Sequence, residues 1–88
     1  MKNGLLSKQE AITGLKKLLD LGYRCYAQNP NCPIYTRTTG NTTISISVGN
    51  NFEFNLRCSP LKEGWEIRSF KRSPCGLKSI LRVAAYNS

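Results

Sequence analysis

From Ile34 to Cys58 the chain reads IYTRTT, GN, TTISISV, GNN, FEFNLRC. Apolar or β-branched residues recur at alternate positions in these runs, which is the period of a strand with one buried face. The links between them are two and three residues long. A parallel crossover needs a dozen or more residues, so neighbouring runs must pair antiparallel. Ile44, Ile46 and Val48 share one face of their strand, and Phe52, Phe54, Leu56 and Cys58 share one face of the next. YRCYA at 23–27 alternates weakly and reads as a short strand before the turn-forming QNPNCP. After SPLKEG, Trp65 and Ile67 continue the apolar face into a last strand that ends in Phe70, Lys71 and Arg72.

A helix stands on each side of this block. Ser7-Lys8-Gln9-Glu10 fits a capping box, and Ala11, Ile12, Leu15, Leu18 and Leu19 follow at helical spacing. Gly22 suits the C-cap, so the first helix is expected from about Ser7 to Leu21. Ser73-Pro74 reads as an N-cap followed by proline at the first helical position. Leu77, Ile80, Leu81 and Ala84 give the second helix its apolar stripe, with an end near Tyr86. Gly76 is expected to weaken its first turn slightly.

The expected fold class is α+β. It has an N-terminal helix, a four- or five-stranded antiparallel meander and a C-terminal helix, with both helices on one face of the sheet. Its 88 residues make one small domain. The other sheet face is then wet. If the GNN turn is tight, Val48 lies opposite Phe52 and Ile46 opposite Phe54. The wet face then holds Thr43, Ser45, Ser47, Glu53, Asn55, Arg57, Glu66, Arg68 and Phe70, with Arg57 facing Glu66. The side taken by Tyr35 and Arg37 stays open, because a slip of one residue reverses it.

Several chemistries are excluded or disfavoured. The chain has no histidine, which removes the usual general base and the commonest metal ligand. The carboxylates Glu10, Asp20, Glu53, Glu63 and Glu66 are dispersed, and no phosphate-cradling glycine motif is present. The expectation is a non-catalytic protein without a cofactor. Cys25, Cys32, Cys58 and Cys75 lack the close pairs of a structural zinc site, so no metal is expected. Cys58 belongs to an apolar strand face, where a thiol behaves as a small hydrophobe. Cys25 and Cys32 flank a turn and leave oxidative pairing open, while Cys75 reads as partly buried. No run is apolar enough to span a bilayer, and Lys8, Glu10, Lys16 and Lys17 break up the N-terminal apolar residues. A cytoplasmic location is expected, within the host cell if the chain is viral.

Net charge is +8, and it is uneven. From Arg68 onward there are five cations and no acid. Lys71 and Arg72 come just before a helix N-terminus, where backbone N–H groups favour anions. Lys78 and Arg82 are spaced to share one helix face. With Arg68 and Phe70 they make a cationic track with an aromatic, the kind of surface that follows an RNA or single-stranded DNA backbone. Arg68, Phe70, Lys71, Arg72, Lys78 and Arg82 are therefore the expected binding residues for nucleic acid or another partner, with the four cations after Phe70 expected to be exposed. The order helix, antiparallel meander, helix, with cations near the last helix start, resembles a double-stranded-RNA-binding domain. The chain departs from it by an extra strand and by lacking a tight lysine cluster after Ser73. The alternative is an accessory or inhibitor protein of phage or mobile-element type, such as a nuclease or CRISPR inhibitor, docking on an acidic or nucleic-acid-handling protein. A homodimer through an exposed strand edge is compatible with both readings.

Overall fold

The computed structural model describes residues 4–26, 33–49, 51–59 and 68–86. Helix α1 spans Lys8–Leu15 and passes directly into a 3-10 helix, Lys16–Leu21. The strands are β1 (Arg24–Tyr26), β2 (Ile34–Thr39), β3 (Thr42–Val48), β4 (Glu53–Ser59) and β5 (Arg68–Lys71), and α2 (Pro74–Tyr86) follows. All neighbours pair antiparallel in the order β1-β2-β3-β4-β5, an uncrossed meander. The helices pack against the sheet, α1 on β3 and α2 on β4 and β5. No helix among the described residues is long and apolar enough to cross a membrane.

The start of α1 is fixed by the expected capping box. The Glu10 N–H donates to Ser7 Oγ at 3.1 Å, and the Ser7 N–H donates to Glu10 Oε1 at 2.8 Å. Those bonds hold the Glu10 carboxyl below its usual range. The helix tightens at Lys16, and the tightening changes which leucines face inward. A 3-10 helix has 3.0 residues per turn, so positions three apart eclipse. Leu15 and Leu18 are fully buried and Leu21 packs against the core, while Leu19 is rotated out to 48% exposure. The expectation that Leu19 joins the apolar stripe assumes an α-helical phase that in fact ends at Leu15. Gly22 then closes the segment with φ 93°, a conformation that disfavours other residues.

The core is built from the alternating faces. Tyr35, Ile46, Val48, Phe54 and Leu56 meet Leu15, Leu18 and Ile80 with essentially no exposure. Cys58 is buried with them. Tyr35 and Arg37 lie opposite Ile46 and Ile44, which settles their side: both are on the helix-covered face.

Register corrects two expectations. Val48 pairs with Phe54 and Ile46 with Leu56, so the β3–β4 connection includes Phe52 and is longer than GNN. This shift is two residues, an even number, so the side chains of β3 and β4 keep their faces, but Phe52 leaves the apolar face for the turn, with φ 58° and 54% exposure. Thr43, Ser45, Ser47, Glu53, Asn55 and Arg57 accordingly lie on the open face. The second shift is not even. Phe54 pairs with Phe70 and Leu56 with Arg68, so Arg68 and Phe70 belong to the helix-covered side. Ser69 and Lys71 take the open face instead, opposite Asn55 and Glu53. The opposite assignment depends on carrying parity through Trp65 and Ile67. These two residues, Glu66 with its expected pairing to Arg57, Cys32, and most of QNPNCP and SPLKEG lie outside the described residues.

Candidate binding surface

The basic C-terminal segment begins on β5 and turns into α2 at Arg72 and Ser73. Ser73 caps the helix: its Oγ accepts from the Gly76 N–H at 3.1 Å, and its carbonyl accepts from the Leu77 N–H at 2.8 Å. Ile80 and Ala84 of α2 are buried, and Leu77 and Leu81 pack against the core. The opposite stripe is Cys75, Lys78, Ser79, Arg82 and Tyr86, all exposed. Cys75 is therefore not the partly buried side chain expected. Lys71 and Arg68 are exposed on β5.

Four of the six expected binding residues thus present cations to the surface: Arg68, Lys71, Lys78 and Arg82. Phe70 does not join them; it is half-buried and packs against the core. Arg72 is a correction of a different kind. It is only 6% exposed. Its Nε donates to the Leu6 carbonyl at 3.0 Å, and its guanidinium carbon lies 4.6 Å from the centre of the Phe52 ring. Its backbone is equally tied, donating to Phe52 O at 2.8 Å and accepting from Leu6 N–H at 2.9 Å. Reading Lys71-Arg72 as one exposed pair overlooks that adjacent residues of an extended chain point to opposite sides. Lys71 faces out and Arg72 faces the N-terminal segment.

Sequence reasoning also misses a second basic region. Arg24 and Tyr26 lie opposite Thr36 and Ile34, on the open face at the β1 edge. Tyr26 is 53% exposed. The signal is present in YRCYA, where Arg24 and Tyr26 alternate with Tyr23 and Cys25, but so short a run gives no face assignment. Across the middle of the open face, Ile34, Ser45, Ser47, Asn55 and Arg57 line a shallow cavity of about 380 Å³. Of its polar side chains, Asn55 is tied to a neighbour outside the cavity lining: Ser69 Oγ donates to Asn55 Oδ1 at 3.0 Å. No group of three or more metal-ligating side chains is brought together among the described residues.

Beneath the β1 edge lie two polar atoms that are shielded from solvent without a hydrogen-bond partner among the described residues, Tyr23 Oη and Arg37 Nη1. Burial raises the Tyr23 pKa, and the positive charge of Arg37 offsets part of that rise. Burial, with a smaller effect from Cys25, likewise raises Tyr35. A phenol whose folded pKa is raised keeps its proton longer in the native state than in the unfolded chain. Its stabilisation is complete below the unfolded value, about 10, and is lost as pH climbs through the folded one. Tyr23→Phe should therefore stay within about 1 kcal/mol of wild type at neutral pH, since no observed bond is lost. Above pH ~10 it should lose less stability than wild type, with Tyr35 accounting for part of the remaining loss. Urea unfolding between neutral and alkaline pH measures both, and parallel losses in the two proteins would remove Tyr23 from this role.

No protein-family model, curated protein or solved structure matches the chain.

Proposed function

We propose that the protein is a non-catalytic nucleic-acid-binding protein that follows an RNA or single-stranded DNA backbone with its C-terminal basic end. The observation that carries this reading is the segment 68–86, which has no carboxylate and exposes Arg68, Lys71, Lys78 and Arg82 on β5 and the outer stripe of α2. A segment whose charges all have one sign attracts polyanions and raises their local concentration, although on the sheet Lys71 stands opposite Glu53. Phosphate contacts of this kind position a strand without reading its sequence, so sequence-tolerant binding is expected. Arg72 is not part of the surface in this reading, because its guanidinium is committed to Leu6 and Phe52.

The test is a triple variant, Lys71→Glu, Lys78→Glu and Arg82→Glu, titrated with a single-stranded oligonucleotide at several salt concentrations. All three residues are exposed, and such substitutions usually change stability by no more than ~0.5 kcal/mol each. Each phosphate contact contributes about 0.7 to 0.9 to the log–log salt slope. Loss of three contacts should flatten the slope by roughly 2 to 3. Circular dichroism checks the fold. A folded variant with wild-type affinity and slope would reduce the segment to a solvated face. Co-purification with a stoichiometric protein that survives nuclease and salt, with no binding to oligonucleotides, would replace the reading by docking on a protein.

A further inference from the structure

On the open face of the sheet, two neighbouring rows of side chains cross the strands. In the first, Arg24 stands opposite Thr36, Thr36 opposite Ser45, and Ser45 opposite Arg57. The second runs Tyr26, Ile34, Ser47, Asn55 and Ser69. Arg24, Tyr26, Ile34 and Arg57 are exposed, and the shallow cavity of about 380 Å³ draws its lining from both rows. A strand spacing of about 4.8 Å puts the two arginines at the ends of a row about 14 Å long.

Around these rows the polar groups are tied to one another. Thr38 and Thr43 share a hydroxyl–hydroxyl bond of 3.0 Å, Ser69 donates to Asn55, and Glu53 stands opposite Lys71. Arg24, Thr36, Ser45, Ser47 and Arg57 have no side-chain hydrogen bond or ion pair among the described residues. Two free guanidiniums, one at each end of a row of free hydroxyls, call for an occupant that is anionic at two separate points. A second copy of this face does not meet that need, because it would double the positive charge in one contact. Tyr26 adds a flat apolar surface. Arg24 lies two residues from it on the same strand, about 7 Å away, so one nucleotide can reach both. A base is free to stack on such a ring only when it is unpaired.

We infer that the open face binds a single strand of RNA or DNA laid across β1 to β4, with a base on Tyr26 beside Ile34, its phosphate at Arg24, a later phosphate at Arg57, and the Thr36 and Ser45 hydroxyls donating to backbone oxygens between them. Every one of these side chains belongs to the open face by register. The site does not rest on the C-terminal surface proposed above: Lys78 and Arg82 are carried by α2, which packs over the other face of the sheet.

The test follows amide NMR shifts and fluorescence anisotropy in wild type and in the double variant Lys78→Glu and Arg82→Glu. The probes are hexathymidylate, hexauridylate, thymidine 5′-monophosphate, a blunt-ended duplex and a hexaglutamate peptide. At least one of the two single strands should shift Tyr26, Thr36, Ser45 and Ser47 saturably in both proteins. The monophosphate reaches one arginine only and should bind at least about tenfold more weakly than that strand. In the double-variant background, Tyr26→Ala should weaken single-strand binding at least about fivefold and leave the salt slope unchanged, because stacking releases no counterions. Arg24→Gln and Arg57→Gln should each flatten the log–log salt slope by about 0.7. All three substitutions are at exposed positions, where the fold tolerates change. Shifts confined to β5 and α2 would overturn this inference and leave the C-terminal surface standing, and shifts confined to the open face would do the reverse. The inference also falls if the duplex binds the open face as tightly as the single strands, or if Tyr26→Ala binds undiminished. Hexaglutamate shifting the same residues as strongly would overturn it in favour of an acidic protein.

Discussion

Gly76→Ala is expected to cost the protein at least about 3 kcal/mol, although alanine is the better helix former. In an exposed helix the exchange would gain roughly 1 kcal/mol. Here the α2 backbone passes close to the end of β5. A β-carbon on Gly76 would overlap the Lys71 carbonyl oxygen and lie 2.8 Å from its carbon. The obstacle is backbone. Lys71 is paired opposite Glu53, and its carbonyl accepts the Ser73 N–H at 2.8 Å, so it cannot give way without breaking the sheet edge or the cap. Overpacking typically costs 1 to 3 kcal/mol and more when relief is blocked. Native stability is about 0.05 to 0.15 kcal/mol per residue, so a loss of this size removes a large part of it. Gly14→Ala is the internal comparison. Its β-carbon would meet the Leu77 side chain, with Cδ2 at 2.5 Å, Cδ1 at 3.3 Å and Cγ at 3.5 Å, and a side-chain end can shift aside where a backbone carbonyl cannot. That variant should stay within about 1 kcal/mol of wild type. Urea unfolding followed by circular dichroism should rank wild type and Gly14→Ala together, well above Gly76→Ala. Equal midpoints for all three would mean that α2 does not approach β5 as closely as described.

Arg72→Met should cost about 2 to 4 kcal/mol, the largest effect expected of any basic residue in the C-terminal segment. A hydrogen bond from a charged donor contributes about 1.5 to 3 kcal/mol. The stacking on Phe52 adds about 0.5 to 2. Methionine retains most of the apolar stem but leaves the Leu6 carbonyl without the Nε donor. Buried ion pairs can be replaced by hydrophobes at little cost. Arg72 differs in that its observed partners are a backbone carbonyl and a ring, and its removal liberates no partner charge. Arg72→Lys should fall between, since an ammonium cannot both reach the carbonyl and lie flat on the ring. Lys71→Met and Lys78→Met should change stability by no more than ~0.5 kcal/mol. Thermal or urea unfolding of the four variants checks the order. Arg72→Met as stable as wild type would show that the guanidinium holds nothing together.

The fold is legible in the sequence wherever a pattern stays local. The capping box at Ser7, the cap at Ser73, and the bounds of β2 and β3 need only neighbours in sequence and are found as expected. The sides of β3 and β4 survive a wrong turn length because the error is even. Legibility fails where parity has to be carried over a long connection. There an odd shift moves Arg68 and Phe70 to the helix side. It fails again where two distant segments decide one residue. Nothing near position 72 announces that Leu6 and Phe52 will enclose it. The contact of Gly22 with the Arg37 side chain is hidden for a similar reason: the two are brought together only by the turn out of the 3-10 helix.

The knot of bonds at Arg72 also bears on the order in which the molecule assembles. Each strand of the meander pairs with its sequence neighbour, so the loops that must close to form the sheet are short and quickly found. The bond from Arg72 to Leu6 spans 66 residues. It joins the segment before α1 to the segment before α2, and the entropy of closing so long a loop is recovered only once the sheet already holds those segments near each other. Such an interaction belongs on the native side of the folding barrier. Its strength then governs how slowly the folded protein comes apart, while the rate of folding is left to the hairpins.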